Sequence, residues 1–328
     1  MNAQIPTSTA PGLHQADFIP APGCQSPHLQ TLLPRIMSRP KLKTTLEWLA
    51  TPDHDWVELN WYGLPMPYSP ILVLFHGLEG NQRSPYIISM MQAARQQGIS
   101  CVIMHFRGCG QYDNTQAQSY HSGATADARH CLNILSARYP TSPLWACGYS
   151  LGANMLLKLA GEGPHPLMRL AAVCPPFELG ACADRLNQGL SKGYQRYLLS
   201  PLKQKTLHKY RQGLLPETIT PDIIHQSQHF RAFDGQITGP LHGFQDANDY
   251  YSHASCRAFL PDITTPTLIL FAEDDPFMDP ACIPSAEELS VTTRLEVSRH
   301  GGHVGFIHYA QGLRHWLPKR ILSFLAAT

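Results

Sequence analysis

Charge is scarce in this sequence. Asp, Glu, Lys and Arg make up only 15% of the 328 residues and sum to +1 with histidine neutral. No global field draws such a chain to nucleic acid, and no nucleic-acid partner is expected. Long apolar runs are missing too. None approaches the ~20 residues that span a bilayer. The opening stretch, MNAQIPTSTAPGLHQADF, lacks the basic and apolar regions of a signal peptide. The expectation is a soluble cytoplasmic protein with no stable membrane anchor and at most transient contact with lipid. Nine cysteines are scattered along the chain without a C-x-x-C pair. An odd, dispersed set reads as reduced thiols used as small apolar residues, not as a disulfide framework. No nucleotide-binding glycine loop occurs, so no diffusible cofactor is expected. His300 and His303 form an H-x-x-H, but no Cys or carboxylate lies around them at structural-zinc spacing, and no metal is expected.

What is present is a 43% hydrophobic chain, long enough for one large α/β domain with an insertion. Residues 1–42 are rich in Pro, Ser and Gln and read as an N-terminal arm, extended over the body. Segments 44–51 and 55–63 flank Pro52-Asp53-His54 and read as an antiparallel hairpin at a sheet edge. Short continuous apolar runs then follow at 71–76, 100–106, 142–148 and 167–176, as in strands buried on both faces. Helical patterns separate them at 84–98, with Ser84 as N-cap, at 123–140, and after Ser150. This alternation describes a mostly parallel sheet with helices on both faces. It stops between 178 and 260, which read as a polar, helix-prone insertion. It resumes with a strand at 265–276, a helix near 280–289, a strand at 292–297 and a last helix near 304–326. The domain plan is thus an arm at 1–42, a core at 43–177, a helical cap at 178–260 and the rest of the core at 261–328.

Chemistry is suggested first at Gly148-Tyr149-Ser150-Leu151-Gly152, a G-x-S-x-G between an apolar run and a helix-forming one. Such a stretch fits a sharp strand-to-helix elbow that exposes the serine. A nucleophilic serine needs three partners. An oxyanion hole is available from the backbone N–H groups of Leu151 and of Leu78, in the turn His76-Gly77-Leu78-Glu79-Gly80 after the first buried strand. An acid is available after a later strand, in Glu273-Asp274-Asp275. Asp275 is the choice because it lies furthest past the strand end, before Pro276, and Asp274 is the rival. A histidine is available in SRHGGHVGF, where His303 follows the acid by one helix and one strand. His300 and His308 compete with it. The order Ser150, Asp275, His303 allows His303 to act as general base and Asp275 to orient it.

The motifs PHLQTLLP (27–34), LFHGLEGN (74–81), MHFRGCG (104–110), GYSLGANML (148–156), FDGQITGPLHGF…DYY (233–251), AEDDPF (272–277) and GGHVGF (301–306) span nearly the whole chain. In this order they resemble the α/β-hydrolase superfamily, and more closely the YheT-like bacterial group related to the ABHD-type esterases and lipases. The resemblance implies an α/β-hydrolase fold and a carboxylesterase acting on short or medium acyl esters, with acylglycerols among the candidate substrates. It carries the triad onto Ser150, Asp275 and His303. Arg107 and Asp127 also match the group and read as braces for loops near the site.

Within the insertion, residues 185–211 hold seven Lys or Arg and no acid. That face either attracts anionic groups or is simply solvated. The partner expected overall is a small-molecule ester, and the oligomeric state is left open. Two alternatives remain at this stage: acyl transfer on the same triad, and a non-catalytic ligand-binding homologue of the fold.

Overall fold

A computed structural model of the protein describes residues 10–327. Its elements, in chain order, begin with β1 (Gly12–Gln15), α1 (Pro27–Ile36), β2 (Thr45–Ala50), β3 (Trp56–Tyr62), β4 (Ile71–Phe75), α2 (Pro85–Gln96), β5 (Ser100–Met104), α3 (Ala126–Arg138), β6 (Leu144–Tyr149), α4 (Leu151–Gly161) and β7 (Leu167–Val173). The chain then leaves the sheet for α5 (Leu179–Leu186), α6 (Ser191–Arg211), α7 (Pro221–Gln226), α8 (Phe230–Phe233), a π-helical turn (Asp234–Thr238), α9 (Gly239–Leu241) and α10 (Ala247–Ala254). It returns with β8 (Thr267–Ala272), β9 (Thr293–Ser298), the small hairpin β10 (Ile307–Tyr309) and β11 (Leu313–His315), and α11 (Leu317–Leu325).

Nine strands form one sheet in the order β1-β9-β8-β7-β6-β4-β5-β3-β2. All neighbours are parallel except β2 with β3 and β3 with β5. The central strands β4, β5 and β6 are buried along their whole length, which is why their sequences are unbroken apolar runs. Helices α3 and α4 cover one face and α2 and α11 the other, each within its own apolar cluster. The strand order turns at β4, with β5 on one side and β6 on the other. Crevices at such switch points, beyond the carboxyl ends of the strands, are where open α/β sheets bind ligands. The insertion is tied down by Asn154 of α4. Its buried amide donates to the carbonyls of Ser122 and Ala254 and accepts the Cys256 N–H, where the chain re-enters the core.

Several expectations are corrected. The arm is not merely extended. Residues 12–15 add a parallel edge strand against β9, and 27–36 are a helix with Ser26 as N-cap and Pro27 in its first turn. The four-residue edge strand is too short to show a hydrophobic pattern, and the prolines mask the helix. The segment near 280–289 is two single 3-10 turns, Pro280–Cys282 and Ala286–Glu288, because Pro280 and Pro284 interrupt any longer helix. The stretch near 304–326 first forms the hairpin, turning at Gln311 and Gly312 in left-handed conformations, and becomes helical only at Leu317. The strand expected at 167–176 stops at Val173, since Cys174 takes a φ of 47° and two prolines follow. Ser84 occupies the N-cap, but its hydroxyl accepts from the Asn81 N–H and not from the helix.

Candidate active site

Ser150 sits between β6 and α4 with φ 53° and ψ −119°, a strained conformation for a residue with a Cβ. Close packing explains the flanking glycines. A Cβ on Gly148 would lie 2.4 Å from the Gly152 carbonyl oxygen, and one on Gly152 would lie 2.5 Å from the His76 carbonyl oxygen. The elbow therefore closes only with both glycines present, and it brings the N-terminus of α4 against the end of β4.

His303 Nε2 is 2.8 Å from Ser150 Oγ, and His303 Nδ1 is 2.8 Å from Asp275 Oδ2. Asp275 is almost wholly buried, and its other oxygen accepts the Phe277 N–H. The Phe277 ring stacks on the His303 ring at 4.0 Å between centroids. With Nδ1–H donated to the carboxylate, Nε2 presents its lone pair to the Ser150 hydroxyl. This chain can take a proton from the serine and hold the charge that results.

The rivals stand elsewhere. Asp274 accepts the Gly302 N–H at 2.9 Å and faces His300 Nδ1 at 3.4 Å, so both brace the loop that carries His303. His308 lies on β10, away from Ser150's cavity lining. The H-x-x-H does not converge, since His300 and His303 turn to different aspartates. Among the described residues, Cys174, Asp275 and His303 bring ligand-type atoms within 4.8 Å of one another. Burial, however, pushes the Cys174 thiol well above its ordinary value, and metals take the thiolate. His303 Nδ1 already faces Asp275. The Asp275 and His303 atoms of the trio are thus already engaged with each other.

Leu78 and Leu151 both border the cavity beside Ser150. Among the described residues, neither backbone N–H has a hydrogen-bond partner. The groups on each side of Leu78 are engaged: the Gly77 N–H donates to the Tyr86 hydroxyl and the Glu79 N–H to the Tyr120 hydroxyl, both at 3.0 Å. Under this loop His76 is fully buried. It lies 2.7 Å from the Gly77 carbonyl through Nδ1 and accepts the Phe106 N–H through Nε2, which fixes its tautomer. Burial pushes its pKa down to about 3.

The sequence alone assigns no role to HLQT (28–31). In the structure its polar side chains secure the histidine loop. Thr31 Oγ1 accepts the His303 N–H at 2.9 Å. Gln30, buried, bonds Cys24 O and both the carbonyl and N–H of Ile307. His28 faces the Tyr194 hydroxyl of α6. Thr31 and Gln30 meet His303 and Ile307 across 272 and 277 residues, and no local pattern reveals such partners. Arg107 and Asp127 turn out to be each other's partner: the guanidinium pairs bidentately with Asp127 and also with Asp53.

The cavity above Ser150 holds about 570 Å³. Its walls include α1, the Gly77–Leu78 turn, residues 120–122 and the insertion, with many Leu, Tyr and Phe side chains, among them Leu179, Leu186, Tyr194, Leu198 and Phe230. Three of the seven basic residues of 185–211 turn inward, while Lys192, Arg196 and Arg211 are exposed. Lys203 caps the carbonyls of His225 and Ser227, Lys205 pairs with Glu79, and Lys209 reaches five oxygens of residues 114–119.

The alpha/beta hydrolase fold family matches residues 70–308, most of the chain. The chain belongs to this family. Within it, the hydrolase is 42% identical to the YheT protein of Escherichia coli (strain K12), a candidate esterase by name, over 98% of this chain and 97% of that one. It is 28% identical to the phospholipase ABHD3 of Mus musculus, over 88% of this chain and 73% of the relative. Among solved structures, the Pyrococcus furiosus esterase Pf2001 superposes with a TM-score of 0.53 at 13% identity, covering 90% of this chain and 91% of that one. That last likeness is one of fold. This hydrolase is thus a YheT-like member of the family, and among the described residues no helix is long and apolar enough to cross a membrane.

Proposed function

We propose that this carboxylic ester hydrolase works through Ser150, His303 and Asp275 by way of an acyl-enzyme. The observation that carries the reading is the hydrogen-bonded chain from Asp275 through His303 to Ser150, opening into an apolar cavity. In this reading His303 removes the Ser150 proton as Oγ attacks the ester carbonyl carbon. The carbonyl oxygen becomes an oxyanion held by the N–H groups of Leu78 and Leu151. His303 then passes the proton to the departing alcohol. Water, activated by the same histidine, attacks the acyl carbon and frees the acid.

The cavity volume and its leucine and tyrosine walls support short or medium acyl esters, acylglycerols among them. Residues 178–260 serve as the cap that sets which acyl groups fit. All nine cysteines are free thiols, which supports a reducing compartment, the cytoplasm.

The test is a fluorophosphonate probe with mass-spectrometric location of the adduct, beside hydrolysis of p-nitrophenyl esters of increasing chain length. The expected outcome is one adduct, on Ser150, with adduct and turnover both lost in Ser150→Ala. Turnover that survives in Ser150→Ala would overturn the mechanism. Ester formation from an added alcohol in place of hydrolysis would favour acyl transfer.

A further inference from the structure

Glu79 follows the candidate oxyanion donor Leu78 and is the one residue of the 76–80 turn with a side chain and a positive φ, 53°. L-residues leave the left-handed region unless their surroundings hold them there. Two residues hold Glu79 through three contacts. Its N–H donates to the Tyr120 hydroxyl, and that hydroxyl donates back to Oε1 at 2.8 Å. Its Oε2 meets Lys205 Nζ at 2.7 Å. The Glu79 carboxylate is nearly buried and Tyr120 is buried, stacked on Phe106. Removing one partner from such a shielded pair leaves the other charge unsatisfied.

Lys205 does not belong to the sheet domain. It lies on α6, one turn beyond Leu202, and α6 lines the cavity with Gly193, Tyr194, Tyr197, Leu198 and Leu202. One further turn along, Lys209 binds the 114–119 loop that leads into Tyr120. The same helix that shapes the cavity thus grips both supports of the Leu78–Glu79 peptide.

We propose that Lys205 is a positioning residue that sets the oxyanion hole from the cap, by holding Glu79 in its left-handed conformation through the ion pair. The inference rests on the reading of Ser150 as nucleophile and of Leu78 as an oxyanion donor. Its consequence is that seating of α6 and assembly of the hole are one event. A cap displaced from Glu79 leaves Ser150, His303 and Asp275 in place but the hole incomplete.

The test compares wild type, Lys205→Met, Lys205→Arg, Glu79→Gln and the double variant Lys205→Met/Glu79→Gln. It measures kcat and KM for p-nitrophenyl butyrate, and inhibition by an alkyl trifluoromethyl ketone, which forms an oxyanion on the serine. Loss of a whole donor costs about 10²–10³ in kcat. A donor misaimed and not removed should cost about tenfold, with KM within about twofold. The trifluoromethyl ketone should weaken by the same factor, Lys205→Arg should restore most of the loss, and the double variant should lose no more than either single one. Should Lys205→Met melt far below wild type, Glu79→Gln, nearly isosteric, carries the same criteria. An active wild type with kcat and ketone affinity unchanged in both single variants overturns this inference alone. So does a loss confined to KM, or a rise of kcat in Glu79→Gln. A wild type that neither turns over esters nor takes the ketone overturns the underlying reading together with it.

Discussion

Gly152→Ala is the sharpest perturbation the elbow offers. The new Cβ would lie 2.5 Å from the His76 carbonyl oxygen and 2.6 Å from that of Phe75, about 0.9 Å inside ordinary contact. Both obstacles are backbone, at the end of the central strand β4, so neither can rotate away. Relief must come from α4 moving off the strand by the better part of an ångström. That movement carries Ser150 and Leu151 with α4, while Leu78 stays with β4. Overpacking of this kind costs about 1–3 kcal/mol. At roughly 2.1 cal/mol/K per residue, a chain of this size changes by about 0.7 kcal/mol per degree, so Tm should fall only ~1–4 °C. Catalysis should suffer far more, since about 1 Å of misplacement costs on the order of 10²-fold. The assay pairs kcat for p-nitrophenyl butyrate with a thermal melt. A folded variant within threefold of wild-type kcat would refute the account of the elbow as a fixed steric device.

Other outcomes follow from the same geometry. Asp275→Asn should lower kcat by about 10⁴ with folding intact, because the amide no longer fixes the His303 tautomer. Asp274→Asn, which touches only Gly302 and His300, should cost less than tenfold, and kinetics of the two variants in the opposite rank would reverse the assignment. A pH effect arises from His76, whose folded pKa of about 3 lies below its ordinary 6.5. Above pH 6.5 both folded and unfolded states are neutral there and the full stability is present. As pH falls, the unfolded chain takes a proton that the folded one refuses, so stability is lost from 6.5 downward. By pH 5 that share is about 2 kcal/mol at 1.36 kcal/mol per pH unit. His76→Gln should shrink the difference between urea midpoints at pH 7.5 and pH 5, and an unchanged difference would count against the neutral buried histidine.

The alternating architecture, the serine elbow and a short set of candidates for its acid and histidine are legible in the sequence. Strands buried on both faces must be continuous apolar runs, so β4, β5, β6 and β8, and β7 from Leu170 onward, are legible from their sequences. The elbow was legible because a tight strand-to-helix turn demands glycine on either side of Ser150. The order of Ser150, Asp275 and His303 followed from their places after successive strands. Short segments defeated this reading. The edge strand at 12–15, the proline-led helix at 27–36 and the hairpin at 307–315 carry too few residues for a period to show, and contacts made far along the chain hold them.

Tertiary structure alone decided which of two adjacent aspartates faces His303, because successive side chains past a strand end point apart and only the fold shows where each one lands. It also gave HLQT its work, by laying Gln30 and Thr31 against the loop of His303. And it turned Lys205 and Lys209 of the basic run inward, to Glu79 and the 114–119 loop, while Lys192, Arg196 and Arg211 stay exposed. Charge along a helix is visible in sequence. Whether that charge meets water, a substrate or a buried carboxylate depends on what the chain packs against it.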